Sequence, residues 1–151
     1  NIKCGKYTFK NGYVAKRFYT ENNVNAIMNL NVNLNIQSKL KEIDEDELRF
    51  NRYHLPDSEC QLGNNIVFQR YLKEVDIQKL SRKQYRFLRD SIKILHDNNI
   101  SHGDLPNNVM IDKKDDMPRI IDWDNAKNGI DEMDKQIDNT AFLTHFKVLK
   151  K

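Results

Sequence analysis

The stretch Ser81 to Asn99, SRKQYRFLRDSIKILHDNN, constrains the fold more than any other part of the chain. Tyr85, Leu88, Ile92 and Leu95 recur at intervals of three, four and three residues, one face of an α-helix, and Ser81 with Gln84 has the spacing of a capping box. Arg82, Lys83, Arg86 and Arg89 make the wet side of the same amphipathic helix. The pattern stops at Asp97-Asn98-Asn99 and delivers the chain into ISHGDLPNNVMIDKKDDMPRIIDWD, where acids and amides crowd around two short apolar runs.

The residues before Ser81 carry strand signals. KYTFKNGYVAKRFYT reads as a hairpin turning at Asn11-Gly12. A helix then starts at the N-cap residue Thr20 with Val24, Ile27 and Met28 inward, and its period fades among asparagines before an acidic connector, Asp44 to Glu47. LRFNRYHL and NIVFQRYL read as two further strands, separated by a loop holding Pro56, Asp57, Ser58 and Gly63. After the long helix, NVMID and PRIIDW read as strands joined by the turn KKDDM. DEMDKQIDNTAFLTHFKVLKK reads as a last helix with Ile137, Ala141, Phe142 and Phe146 inward. The order is an α+β pattern, strand-rich then helix-rich, which suits two lobes with a cleft between them.

Composition narrows the function classes. The 25 basic and 22 acidic side chains leave a formal net charge of +3, too small for a dedicated nucleic-acid binder. Cys4 and Cys60 are too few for a disulfide framework and have no zinc spacing, so a reducing compartment is expected. No apolar run approaches the roughly 18 residues of a membrane span. Asn1 opens the chain mid-pattern, without a signal-peptide core, and reads as a trimmed terminus.

Asp104, Asn108 and Asp122 offer two carboxylates and an amide oxygen, hard ligands of the kind magnesium takes alongside substrate phosphates. Lys16, on a strand of the first half, could neutralise phosphate charge beside them. YVAK then resembles the third-strand lysine motif of the protein kinase superfamily, HGDLPNNVMI its catalytic loop, and IIDWD its metal-binding aspartate motif. Gly after His and Trp after Asp are more similar to the aminoglycoside and small-molecule kinases and to Bud-type atypical kinases. Truncated kinases injected by bacteria as effectors have a similar size and layout. The resemblance runs from Lys16 to about Phe146.

The resemblance implies one kinase-like domain over 1–151, of two-lobed α+β fold. A small antiparallel-sheet N-lobe would occupy 1–72, with a hinge near 68–72, and a reduced helical C-lobe 73–151. It implies ATP and Mg2+ as cofactors. Asp104 would orient the acceptor hydroxyl, Asn108 and Asp122 would hold the metal, and Lys16 would contact the α and β phosphates. His102 would brace the loop and Asp138 would tie its backbone. Phe68, Arg70 and Tyr71 would present backbone groups to adenine, and Gly5 would stand for the glycine-rich loop.

Several positions depart from the family pattern. Asp104 and Asn108 are four residues apart, Asn107 three, where the family has five. Glu21 and Glu42 are poorly placed to pair with Lys16, and Asn25 and Asn29 occupy much of the helix face where a glutamate is expected. Asp124 stands where the family has glycine, and about 27 residues follow it.

Three functions follow from this resemblance: a minimal kinase acting on a protein hydroxyl, a pseudokinase that binds a partner, and a small-molecule kinase using Asp131, Glu132 and Asp134 for a cationic acceptor. A protein substrate or activating partner is expected, with no nucleic acid, in the cytoplasm, or in the host cytoplasm for a secreted effector or viral protein. The bland alternatives make Lys16 a solvated strand residue and Asp104 and Asp122 turn formers. Asp112, Asp115 and Asp116 read as a solvated turn, His54, His96 and His145 as surface or packing residues, and Trp123 as packing.

Overall fold

The capping box forms as its spacing predicts. In the computed structural model, which describes residues 12–18, 23–56 and 66–142, the Ser81 hydroxyl accepts the Gln84 N–H and the Gln84 side chain accepts the Ser81 N–H. Cys4, Gly5, Asn11, Thr20, Glu21, Asp57, Ser58, Cys60, Gly63, His145 and Phe146, together with the first arm of the expected hairpin, lie outside the described residues. The helix that follows the box, α2, spans Arg82–Asp97 and buries Leu88, Ser91, Ile92 and Leu95.

Among the described residues three small antiparallel sheets accompany it. β1 (Tyr13–Arg17) pairs with β2 (Ile66–Arg70), placing Lys16 opposite Val67. β3 (Lys73–Glu74), β5 (Val109–Asp112) and β6 (Met117–Ile120) form a second sheet in the order β3-β5-β6, in which β5 and β6 are the expected hairpin. β4 (Ile100–Ser101) pairs with β7 (Lys127–Asn128). Together with α1 (Asn23–Ile43) and α3 (Glu132–Thr140) this is the α+β arrangement expected.

Three expectations need correction. First, α1 continues through the asparagines for 21 residues. Its buried face is Leu30, Asn33, Ile36, Gln37 and Leu40, a helical stripe in which two members are amides, while Met28 is 58% exposed. The amides are buried because they are bonded: Asn33 Nδ2 donates to the Trp123 carbonyl at 2.7 Å, Gln37 Nε2 to Asn33 Oδ1 at 2.7 Å, and Gln37 Oε1 accepts the Tyr53 N–H at 2.7 Å.

Second, LRFNRYHL is not a strand. It makes isolated bridges, Phe50 to Ile120 and His54 to Phe68. The Asp44 carboxylate takes the N–H groups of Leu48, Arg49 and Phe50, and the Asn51 N–H goes to Ile120. The segment therefore links the edge of one sheet to the next and extends neither.

Third, Ile137 is 50% exposed, and the inward residue of α3 is Asp138. Successive helical residues lie about 100° apart, so burying Asp138 turns Ile137 outward. Ala141 and Phe142 do pack inward.

One apolar cluster runs through the whole, from Phe18, Leu30 and Val67 to Leu88, Val109 and Phe142. Trp123 is fully buried in it, edge-on to Phe50 and His102, with Nε1 donating to the Asn51 carbonyl at 3.1 Å. Asp112 is also buried, against the expectation of a solvated turn, because Arg70 and Arg119 reach its carboxylate at 3.0 and 3.3 Å. Among the described residues no helix is long and apolar enough to cross a membrane.

Candidate active site

The loop between β4 and β5 carries Asp104, and the fold fixes it from three sides. The buried Asp138 carboxylate of α3 accepts the N–H of His102 and of Gly103, both at 2.9 Å, and lies 2.8 Å from His96 Nε2. His102 then holds the next link. Its Nδ1 accepts the Asp104 N–H at 3.1 Å and its Nε2 donates to the Ile121 carbonyl at 2.7 Å, an arrangement of the neutral ring. Burial lowers the His102 pKa, against the opposing pull of the Ile121 carbonyl and of Asp138 and Asp122, so the ring stays uncharged. Asn108 closes the loop, its Nδ2 donating to the Asp104 carbonyl at 2.9 Å and to Oδ2 at 3.0 Å.

Gly103 is required here. Its φ of 88° belongs to the left-handed region, and a Cβ at this position would lie 2.7 Å from the Asn125 carbonyl oxygen. The four-residue spacing from Asp104 to Asn108 is thus closed by side-chain bonds across the loop. With its nitrogen engaged, Asn108 would have its Oδ1 to hold a cation.

The β5–β6 register brings the loop to Asp122. The Asn108 carbonyl accepts the Ile121 N–H at 3.0 Å, so Asn108 lies across the end of the hairpin from the residue that precedes Asp122. Asp122 has a φ of 59°, uncommon for a residue with a side chain. Lys16 arrives from β1, its Nζ 3.0 Å from Asp122 Oδ1 and 2.6 Å from Asp124 Oδ2. Burial opposes ionisation of Asp122, but the Lys16 ammonium, the Asp124 N–H and the Tyr53 hydroxyl outweigh it and hold the carboxyl below the ordinary range.

Tyr53 completes the group and was not singled out by the sequence, where RYHL reads as strand. Its hydroxyl accepts the Trp123 N–H at 2.9 Å and lies 2.9 Å from Asp124 Oδ1 and 3.2 Å from Asp122 Oδ1. Burial, then the two carboxylates, push its pKa far up, so it remains a phenol that can donate. The one sequence signal for it is that Tyr53 is an aromatic with a polar end, which seeks a partner when buried.

Several backbone groups of the residues expected to meet adenine are engaged within the fold. The Phe68 N–H and carbonyl both pair with His54 at 2.7 Å, the Tyr71 N–H donates to the Gly12 carbonyl, and the Arg70 carbonyl accepts from Asn51 Nδ2. The Arg70 side chain is committed to Asp112. A cavity of about 710 Å³ borders this segment, walled by Tyr13, Tyr71, Lys73, Ile111 and Lys114 among others, but Lys16, Asp104, Asn108 and Asp122 are not in its wall. Tyr13 and Lys16 point to opposite faces of β1, so the cavity and the Lys16 cluster are separate features.

No model of a known protein family matches the chain, and no curated protein matches it in sequence. Its backbone does match solved structures, among them the Cydia pomonella granulovirus kinase PK-1, with a TM-score of 0.53 over 77% of this chain. The fold is kinase-like. Identity to that kinase is 17%, and the match covers 43% of its length, so the chain spans less than half of the neighbour it resembles.

The donor set fits magnesium in the manner of a phosphate-bound ion. Among the described residues no three acidic, histidine or cysteine side chains gather as a metal cage. Asp122 and Asn108 would supply two hard oxygens, and magnesium commonly takes one or two protein ligands and completes its octahedron with phosphate and water.

Proposed function

We propose that the chain is an ATP-dependent phosphotransferase acting on a protein hydroxyl. The observation that carries this reading is the approach of Lys16 Nζ to 3.0 Å from Asp122 Oδ1 across 106 residues of sequence, beside a loop that presents Asp104. Phosphoryl transfer asks a protein chiefly for positioning and charge neutralisation. Lys16 would bind the α and β phosphates, Asp122 and Asn108 would hold magnesium, and Asp104 would orient the acceptor hydroxyl. Magnesium bound there would neutralise charge on the transferring phosphoryl group. His102, Asn108 and Asp138 hold Asp104 at a fixed place and leave it half-exposed. Asp104 is not in the wall of the cavity at residues 70–74, and an open loop suits an acceptor carried on another protein.

The test is magnesium-dependent ATP turnover or autophosphorylation by the chain. Lys16→Ala and Asp122→Ala are each expected to lower it at least about 100-fold, the loss of a charge stabilising the transition state. Wild-type chain that is stabilised by ATP but transfers phosphate to no acceptor, including itself, would replace this reading with that of a nucleotide-binding pseudokinase.

A further inference from the structure

We infer that Asp124, held by Tyr53, is the residue that positions Lys16, in place of a carboxylate from α1; this rests on the reading of Lys16 as the phosphate-binding lysine. Kinases ordinarily orient that lysine with a glutamate from the first long helix. Here α1 turns amides toward the cluster: Asn33 holds the Trp123 carbonyl and Gln37 holds the Tyr53 N–H. Glu42 of α1 is exposed, and the carboxylates that reach Lys16 among the described residues are Asp122 and Asp124.

The two carboxylates are not equivalent. Asp124 lies closer to the ammonium, at 2.6 Å against 3.0 Å, and divides its oxygens, Oδ2 to Lys16 and Oδ1 to the Tyr53 hydroxyl. Tyr53 is buried and its oxygen is fixed by the Trp123 N–H, so it is a rigid support for Asp124. Asp122 meets both Lys16 and Tyr53 through Oδ1, and among the described residues none reaches its Oδ2. Its charge can therefore be drawn to a cation while Asp124 keeps Lys16 in place. The extra acid at position 124 thus takes the place of a glutamate from α1, none of which reaches Lys16 among the described residues. It also ties the lysine to the segment that carries the metal-binding aspartate, so a rigid shift of α1 need not release it.

The test measures Lys16 in the chain without nucleotide or metal, by its rate of acylation with a small amine-reactive ester, read by peptide mass spectrometry. Asp124→Asn is expected to raise the rate at least about threefold, because the amine loses the nearer of its two carboxylate contacts and is freer to meet the reagent. Asp124→Glu should return it toward wild type, and Tyr53→Phe should fall between. Glu42→Gln should leave it unchanged. ATP binding in EDTA is the second readout. Lys16→Ala and Asp124→Asn should both weaken it, roughly tenfold and threefold. An Asp124→Asn chain whose Lys16 reacts at the wild-type rate overturns the inference. If Asp124→Asn accelerates acylation but Lys16→Ala leaves ATP binding intact, the clamp stands and the assignment of Lys16 to phosphate falls.

Discussion

At the scale of single residues, the site rests on buried polar groups whose state is dictated by their partners. His102 is neutral because one nitrogen accepts from Asp104 and the other donates to Ile121 in a buried setting. An unfolded histidine takes a proton as pH falls through about 6.5, while the folded one resists. The unfolded state then binds more protons, so stability that is full above that value is lost progressively below it. Urea denaturation at pH 7.5 and 5.5 should show this fall, and His102→Gln should flatten it. A wild-type curve no steeper than that of the variant would mean that the folded chain protonates this ring as readily as the unfolded one does. Asp122 and Asp138 also have lowered pKa values, but they titrate below the ordinary carboxylate value of 3.8, outside this window.

At the scale of elements, α1 and α2 are stabilised in different ways. α2 carries an apolar stripe and a capping box, features of its own sequence. α1 is joined to the site through Asn33 and Gln37, which bond to Trp123 and Tyr53 and to each other. Removing one partner of a buried hydrogen bond leaves the other without water or protein, at about 1 to 3 kcal/mol. Asn33→Ala should therefore destabilise the chain by about that amount, measured by chemical denaturation. Ser81→Ala, which removes the cap of α2, should cost about 1 kcal/mol. A negligible cost at Asn33 would show that the amide pair contributes no stability and that α1 is held by Leu30, Ile36 and Leu40 alone.

At the scale of the whole molecule, Trp123 joins the parts. It sits between Asp122 and Asp124, its ring buried against Phe50 and His102, its indole bonded to Asn51, and its backbone bonded to α1 and Tyr53. Truncation of such a residue leaves a cavity and unpaired groups. Trp123→Ala should cost about 3 to 5 kcal/mol, with the loss seen by probes in α1 and in α2 together. Separate transitions for the two helices would mean that the shared apolar cluster does not couple them.

The same contrast separates what was legible in the sequence from what was not. Ser81 with Gln84, the stripe Tyr85-Leu88-Ile92-Leu95, and the β5–β6 hairpin were readable because each depends on neighbours within a few residues. The acids and amides from Asp104 to Asp122 were readable as a cluster of unusual residue types on either side of that hairpin. Tyr53 was not, since an aromatic in RYHL reads as a strand residue until its hydroxyl is seen between two carboxylates. Asn33 and Gln37 hid the buried face of α1 because polarity conceals a helical stripe whose amides satisfy one another. Asp124 read only as a departure from the family's glycine. Its meeting with Lys16 spans 108 positions and depends on how β1 packs over the end of the hairpin, a matter of tertiary packing that local sequence patterns do not encode.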